Sequence, residues 1–283
     1  MVRGFSALLL LLALSTQGVY AQAPGLPLVA PPSSSPGFWF AGDVQWARPG
    51  LNSVENPSKY DSTFIPQLEV GWNIAADQAL VLNYRYLGAD ASAVSNPGVP
   101  DAESESWRHL RLNTFDVMYR ERLGGVGAPL GMDFDMGSRF AYAKFTDLFN
   151  NSTIAGPVTD QRDLSGLLIG PRLGIRPYWM FDQSEWQMTI YGKADASYLL
   201  GTFRSREWMN GQTTIYDNSA STLWNYDLEA GLSFYVPGLE GVLQFTAGYR
   251  YEYWNSSKLS LITHTDPGTM SMQGPFIRLQ FSF

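Results

Sequence analysis

The last stretch of the chain, Gln273-Gly274-Pro275-Phe276-Ile277-Arg278-Leu279-Gln280-Phe281-Ser282-Phe283, decides the fold. From Ile277 to Phe283 every second residue is apolar, and the residues between them are polar. Successive side chains of an extended strand point to opposite sides, so one face of this stretch is apolar and the other polar. A strand of this kind that stops on an aromatic residue is typical of the closing strand of an outer-membrane β-barrel.

The same alternation recurs along the chain in segments of about ten to fourteen residues. In residues 63–74, for example, Phe64, Leu68 and Val70 alternate with Gln67 and Glu69. We predict strands at residues 38–48, 63–74, 79–88, 111–121, 130–144, 164–176, 186–199, 223–236, 242–254 and 273–283. An even number of antiparallel strands closes into an up-and-down barrel. The predicted fold is therefore an all-β, transmembrane antiparallel β-barrel of about 10 strands, occupying residues 37–283.

The connections between these segments alternate in length. Short connections are predicted at residues 75–78, 122–129, 177–185 and 237–241, and long ones at 49–62, 89–110, 145–163, 201–222 and 255–272. Outer-membrane barrels have short periplasmic turns and long external loops, so both termini are expected on the periplasmic side. Pro171 interrupts the sixth segment, and because a proline cannot donate to the sheet ladder we predict a bulge there.

The N-terminus predicts export from the cytoplasm. Arg3 precedes a leucine-rich core at residues 5–14, and Val19-Tyr20-Ala21 resembles a signal-peptidase site. We predict a signal peptide at residues 1–21, with cleavage after Ala21 or Ala23, because the apolar core is shorter than the about 20 residues of a spanning helix. Residues 22–36 are rich in proline and are predicted to form an extended periplasmic leader.

The composition limits the possible functions. The 283 residues include no cysteine, which excludes disulfides and thiolate metal sites, and the net charge of -7 argues against nucleic-acid partners. Aromatic residues make up 14% of the chain. In the predicted orientation they form girdles at both lipid-water boundaries, as expected of barrels. The girdle residues are Trp46, Trp72, Tyr84, Tyr86, Tyr119, Trp186, Tyr198, Trp224, Tyr226, Phe234, Tyr251, Tyr253, Phe281 and Phe283.

The polar face of the strands is predicted to line the lumen. The pore-lining residues are Glu69, Arg85, Asp116, Arg120, Asp133, Asp135, Arg139, Arg172, Arg176, Lys193, Asp195, Asp227, Glu229, Arg250, Glu252 and Arg278. Charges at this density cannot stay unpaired in a dry interior, so either water fills the lumen or the side chains pair into a plug. Ten strands are near the narrow end for barrels, and acids and bases nearly balance, so we predict a narrow or gated pore for small polar solutes or ions, with weak charge selectivity. The alternative is a plugged structural or surface-binding barrel.

Three motifs carry a family resemblance. Gly170-Pro171-Arg172-Leu173-Gly174, the run from Gly248 to Trp254, and Gln273-Gly274-Pro275-Phe276 with its terminal Phe resemble pore-forming outer-membrane proteins of the Legionella major outer-membrane protein type. The resemblance spans roughly residues 37–283 and implies a Gram-negative-type outer-membrane barrel with porin-like activity. The cysteines typical of that family are absent here, so a disulfide-linked assembly is not implied.

Sites for other chemistry are weak in this sequence. His109 and His264 fall at or in predicted loops, and His264 is near Asp266, Ser260 and Ser271, but no nucleophile motif accompanies them. The acidic residues in 101–105 lack the glycine and the bidentate glutamate of a calcium loop. We therefore predict no enzyme activity, no cofactor and no metal. The expected partners are outer-membrane lipid and small polar solutes or ions, and the expected state is a monomer.

Overall fold

The computed structural model describes residues 37–51, 60–95, 104–123, 130–153, 156–183, 186–209, 212–239, 241–256 and 268–282. The signal peptide and the leader predicted for residues 1–36 lie outside the described residues, and so does Phe283. In the described ranges, no helix has the length and apolar character needed to cross a membrane.

Ten strands make up the described chain and close into one barrel. They are β1 (Phe38–Leu51), β2 (Thr63–Ala75), β3 (Gln78–Ser95), β4 (Ser104–Leu123), β5 (Leu130–Thr153), β6 (Gly156–Gln183), β7 (Trp186–Met209), β8 (Gln212–Leu239), β9 (Gly241–Ser256) and β10 (Gly268–Ser282). Each strand is antiparallel to its neighbours in sequence, and β1 pairs with β10. At this seam Phe40 lies opposite Phe281, and Val44 lies opposite Ile277. The predicted up-and-down barrel of ten strands is confirmed.

The strands extend much further at one end of the barrel than at the other. β1 begins and β10 ends at what we call the terminal end, where residues 76–77 form the tight turn between β2 and β3. The opposite end, which we call the hairpin end, carries the tips of the β3–β4, β5–β6 and β7–β8 hairpins. β6 and β8 have 28 residues each, whereas β2 has 13. Because about 9 to 11 residues of a tilted strand cross a bilayer, the long hairpins extend beyond it.

The long hairpins correct the predicted loops. Residues that we assigned to the connections 145–163 and 201–222 form paired strands up to Thr153 opposite Gly156 and Met209 opposite Gln212. Much of the predicted loop 89–110 is likewise strand. Outside the bilayer the outward face meets water and needs no apolar residues, so the composition becomes loop-like although the backbone pairing continues. Residues 52–59 and 257–267, in the other two long connections, lie outside the described residues.

The bulge predicted at Pro171 is wrong. Ile169 lies opposite Leu200 and Arg172 lies opposite Ser197, so the register between β6 and β7 is the same on both sides of the proline. β6 also runs without a register shift along β5. The Pro171 ring is exposed on the outward face. The sheet therefore tolerates one missing donor without inserting an extra residue.

In the middle of the barrel, the outward face of the wall is apolar and the inward face is polar. Leu173 and Leu228 are 55% and 50% exposed, whereas their sequence neighbours Arg172 and Glu229 are 1% and 4% exposed. The predicted girdle residues with described side chains are exposed or partly exposed on the outward face. The Trp186 backbone lies in β7, but its side chain is outside the described part. Aromatic rings also stack between strands, as Phe38 does on Trp72 with centroids 5.8 Å apart.

Inward aromatic residues fill the spaces above glycines on neighbouring strands. A Cβ atom added to Gly71 would lie 2.0 Å from Cε2 of Trp39, its direct cross-strand partner. Tyr178 over Gly131, Phe203 over Gly166, Tyr191 over Gly231 and Phe276 over Gly248 repeat this arrangement. These glycines let large rings lie flat against the inner wall and narrow the lumen.

Candidate functional site: a side-chain plug in the lumen

All of the predicted pore-lining residues point into the barrel and are buried. None of them is more than 7% exposed. Asp43 and Arg122 are buried beside them at 4% and 5% exposed. The lumen is therefore filled with charged side chains, which form three connected clusters and a set of links between them.

The first cluster lies beside the seam where the barrel closes. Asp43 on β1 is 2.9 Å from Arg278 Nη2 on β10 and 3.2 Å from Arg250 Nη2 on β9. Glu229 on β8 is 2.7 Å from Arg250 Nη2 and accepts a hydrogen bond of 2.6 Å from the Tyr191 hydroxyl on β7. Two acids and two arginines thus join four strands, and Tyr191 adds a fifth.

The second cluster crosses from β4 to β7. Arg139 Nε on β5 donates to Asp116 Oδ1 on β4 at 2.7 Å. Arg172 on β6 pairs with both Asp116 and Asp195, and Lys193 Nζ lies 2.7 Å from Asp195 Oδ2. The Arg172 guanidinium, 1% exposed, is therefore shared by two carboxylates on non-adjacent strands.

The third cluster joins β2, β4 and β5. Arg120 Nε donates to Asp135 Oδ1 at 2.6 Å, and its Nη1 reaches Glu69 Oε1 at 3.5 Å. Arg122 Nε lies 3.5 Å from Asp133 Oδ1. Arg122 was not predicted to line the lumen, because the fourth predicted segment ends at residue 121. Continuing the alternation by one more position, from Arg120 to Arg122, would have found it.

Further contacts span the lumen between strands that are distant around the wall. Arg85 on β3 pairs with Glu252 on β9 and donates to Gln45 Oε1 on β1 at 2.7 Å. Arg250 Nη1 also donates to Gln67 Oε1 on β2 at 3.0 Å. Isolated buried charges are very unfavourable, and this pairing is what makes so many of them tolerable in a narrow interior.

A second layer closes the lumen toward the hairpin end. Unlike the charged clusters it is apolar, and every strand contributes to it. This apolar layer consists of Ala47, Tyr60, Ile65, Leu87, Ala89, Ala91, Leu110, Leu112, Ala141, Ala143, Phe145, Leu164, Leu168, Leu199, Phe203, Leu223, Trp254, Met270 and Met272. A cavity of about 10 Å³ remains among its members, beside Leu112, Phe145 and Trp254. That volume is about enough for one water molecule.

Tyr60 enters this layer from the segment that precedes β2. It is 2% exposed, and burial raises the pKa of its hydroxyl, which therefore stays protonated at neutral pH. The segment and the first residue of β2 are held against β3 by two hydrogen bonds: Asp61 N donates to Asp90 O at 2.9 Å, and Thr63 Oγ1 donates to Gly88 O at 2.7 Å. Tyr60 thus packs into the apolar layer from outside the strands.

The apolar layer was not among the predicted features, although the sequence contains a signal for it. Several strands place two apolar residues in succession, such as Phe64-Ile65 and Leu167-Leu168. In each case the first residue is exposed, at 68% and 64%, and the second is buried, at 0% and 1%. Such pairs mark where the apolar residues move from the outward to the inward face.

In the described ranges, the candidate His109 contacts a single carboxylate. His109 Nδ1 lies 2.6 Å from Asp90 Oδ1 across the β3–β4 hairpin, and both side chains are exposed. In the described ranges no hydrogen bond joins this pair to a hydroxyl nucleophile, and no cluster of three metal-ligating residues occurs. His264, Asp266 and Ser260 lie outside the described residues.

A closed barrel with an apolar outward belt, aromatic residues at both ends and a charged interior is an outer-membrane β-barrel. Residues 126–283 match the family model described as "Legionella pneumophila major outer membrane protein precursor", and the chain belongs to that family. The three motifs that carried the resemblance all lie within this range. The family and the barrel place the chain in the outer membrane, as predicted.

A solved structure agrees on the fold. The outer membrane protease OmpT from Escherichia coli matches with a TM-score of 0.55 at 10% identity, covering 87% of this chain and 97% of that one. A major outer membrane protein from Thermus thermophilus matches with a TM-score of 0.39 at 12% identity, over 88% and 100% of the two chains. Among curated protein sequences no match is found. At these identities the likeness concerns the fold, and the lumen and surface of this chain must be interpreted from its own residues.

Proposed function

We propose that the chain is a gated outer-membrane pore for small ions, closed at rest by the charged clusters and the apolar layer. The observation that carries the proposal is the composition of the plug: in the described ranges it consists almost entirely of side chains from the barrel wall. Rotation of a few side chains can open such a plug, whereas a plug made of a separate domain has to leave as a unit.

The buried charges support a pore over an inert interior. Replacing buried ion pairs by well-packed apolar residues is often neutral or stabilising, so stability alone does not require them. In a pore the same groups have a use, because Arg250 and Asp43, or Arg172 and Asp195, can replace part of the hydration shell of a passing ion. Acids and bases nearly balance, so weak charge selectivity is expected.

The test is single-channel conductance of the refolded protein in planar bilayers. Wild type is expected to show rare, small openings. Phe203→Ala and Trp254→Ala each remove a large ring from the apolar layer and are expected to open more often. Phe140→Ala is the matched control, because it removes a ring of similar size from the outward face, where Phe140 is 38% exposed. Heat-dependent mobility on gels checks that each variant is folded.

The second candidate function is a closed barrel that presents its hairpins at the cell surface. The apolar layer favours it, since residues from all ten strands seal the lumen. The length of β5–β8 also favours a closed barrel, because these strands are much longer than a strand needs to be to cross a bilayer. Wild type and both layer variants would then show no conductance above that of the bare membrane, and this result overturns the pore. Either function is non-enzymatic, and we propose a monomer for both.

A further inference from the structure

Four strands place polar groups in one row on the outward face toward the hairpin end. Arg111 on β4 lies directly opposite Lys144 on β5, Lys144 lies opposite Ser165 on β6, and Ser165 lies opposite Arg204 on β7. Arg111 and Arg204 are exposed, and Lys144 and Ser165 are partly exposed. Adjacent strands are about 4.8 Å apart, so the row extends over about 14 Å of surface.

This row lies where the wall changes from apolar to polar. Two positions closer to the terminal end, each of the four strands has an outward residue at the boundary: Asn113, Tyr142, Leu167 and Thr202. Two more positions toward the terminal end, the outward row is wholly apolar, and its residues are 38% to 51% exposed: Phe115, Phe140, Ile169 and Leu200. Cations separated from an apolar belt by one boundary row are at the depth of lipid head groups.

The pair Arg111 and Lys144 is unfavourable without an anion. Like charges directly opposite each other on neighbouring strands are destabilising. Within the described ranges neither side chain forms a salt bridge. The acids in the next row, Asp90 and Asp163, form no salt bridge with either cation in the described ranges: Asp90 lies 2.6 Å from His109, and Asp163 accepts a hydrogen bond from Gln161 at 3.2 Å.

We propose that Arg111, Lys144, Ser165 and Arg204 bind the phosphate of an anionic lipid head group. The phosphate lies between Arg111 and Lys144, whose mutual repulsion it removes, and the Ser165 hydroxyl donates to it. Arg204 adds a third cation two strands from Lys144 and favours a head group with more than one phosphate. The acyl chains lie on the apolar belt below, which is why a lipid fits this site better than free phosphate does.

The test compares lipid binding by the refolded barrel in non-ionic detergent, measured by native mass spectrometry and by titration with phosphatidylglycerol or phosphatidylcholine. Lys144→Gln and Arg111→Gln are each expected to weaken phosphatidylglycerol binding about fivefold, because a basic residue near a lipid surface contributes about that factor. Arg48→Gln is the matched control: Arg48 is exposed on the same face of β1, with Gln273 opposite it, and its loss is expected to change binding less than about twofold.

Stability gives a second readout that a purely structural role does not produce. In detergent alone the double variant should unfold no earlier than wild type, since a like-charge pair has been removed. With phosphatidylglycerol present, wild type should gain stability and the double variant should not. Four outcomes would each overturn the proposal. Arg48→Gln could weaken phosphatidylglycerol binding as much as Lys144→Gln does, or the double variant could bind phosphatidylglycerol as wild type does. Wild type could bind phosphatidylcholine as tightly as phosphatidylglycerol, or an equal concentration of inorganic phosphate could displace the lipid. None of these outcomes depends on whether the lumen conducts.

Discussion

Neutralising Asp43 tests whether the lumen is a dry, paired interior. Its carboxylate is 4% exposed and accepts hydrogen bonds from Arg278 Nε at 3.1 Å and from Arg250 Nη1 at 3.2 Å. Asp43→Asn keeps the shape of the side chain and removes its charge. Arg250 and Arg278 then have to share Glu229, and one buried positive charge is left without compensation.

The expected loss of unfolding free energy is about 3 to 5 kcal/mol, the usual effect of removing one partner from a buried ion pair. Glu207→Gln is the control. It breaks the 2.6 Å contact between Glu207 and Arg162, whose side chain is 50% exposed. Exposed pairs contribute about 0 to 1 kcal/mol, so the two variants should differ several-fold.

The assay is urea unfolding in lipid vesicles, followed by tryptophan fluorescence and by gel mobility. The double variant Asp43→Asn with Arg278→Gln should lose less stability than the sum of the single variants, because Arg250 and Glu229 remain as a balanced pair. Coupling between such neighbours is about 0.5 to 3 kcal/mol. If Asp43→Asn has no larger effect than Glu207→Gln, then water screens the cluster, the lumen is open at rest, and the reasoning for a side-chain plug fails.

Substitutions at three further positions, two of them with a control variant, test other parts of the barrel. Gly71→Ala places a Cβ 2.0 Å from the Trp39 ring and should lower the unfolding free energy by about 1 to 3 kcal/mol in the same urea assay. Gly42→Ala, whose Cβ meets Leu68 at 3.7 Å, should have little effect, and equal losses would contradict the packing argument. Tyr60→Ala should raise the frequency of single-channel openings, whereas Tyr60→Phe should not, because the ring rather than the hydroxyl fills the layer. An equal frequency of openings in the two variants would contradict this. Leu173→Arg puts a charge on the lipid face and should reduce the unfolding free energy by about 2 to 4 kcal/mol, unless that face is not in the bilayer.

The strands that cross the membrane could be predicted from the sequence, because two solvents act on their two faces. Lipid requires Leu173 and Leu228 outside, and the narrow interior requires paired charges such as Arg172 and Glu229. This requirement imposes a period of two that the sequence displays directly. The placement of charged residues in the lumen followed from the same pattern, without knowledge of which pairs they form.

Partner choice in the lumen could not be predicted, because it depends on barrel geometry. Arg85 pairs with Glu252, which is 167 positions away in the chain and on a strand that is not its neighbour. The alternation places both residues inside the barrel, but it does not indicate which side chains contact each other across the lumen. The height of the hairpins was missed for a different reason: beyond the bilayer both sides of β5–β8 meet polar surroundings at many positions, so the alternation weakens while the hydrogen-bonded ladder continues.

The pairs Phe64-Ile65 and Leu167-Leu168 connect these observations to function. At each pair the outward residue is the last that lipid has to cover, and the inward residue is the first of the apolar layer. Beyond this level the wall resembles that of a soluble barrel, with apolar residues inside and polar residues outside. The three charged clusters therefore lie where the outside is lipid, and the apolar layer lies where the outside becomes water. One further buried ion pair, Arg108 with Asp147, lies beyond the layer toward the hairpin end. The lipid boundary and the apolar layer are thus set by adjacent residues of the same pairs, and in the proposed pore this level is the position of the gate.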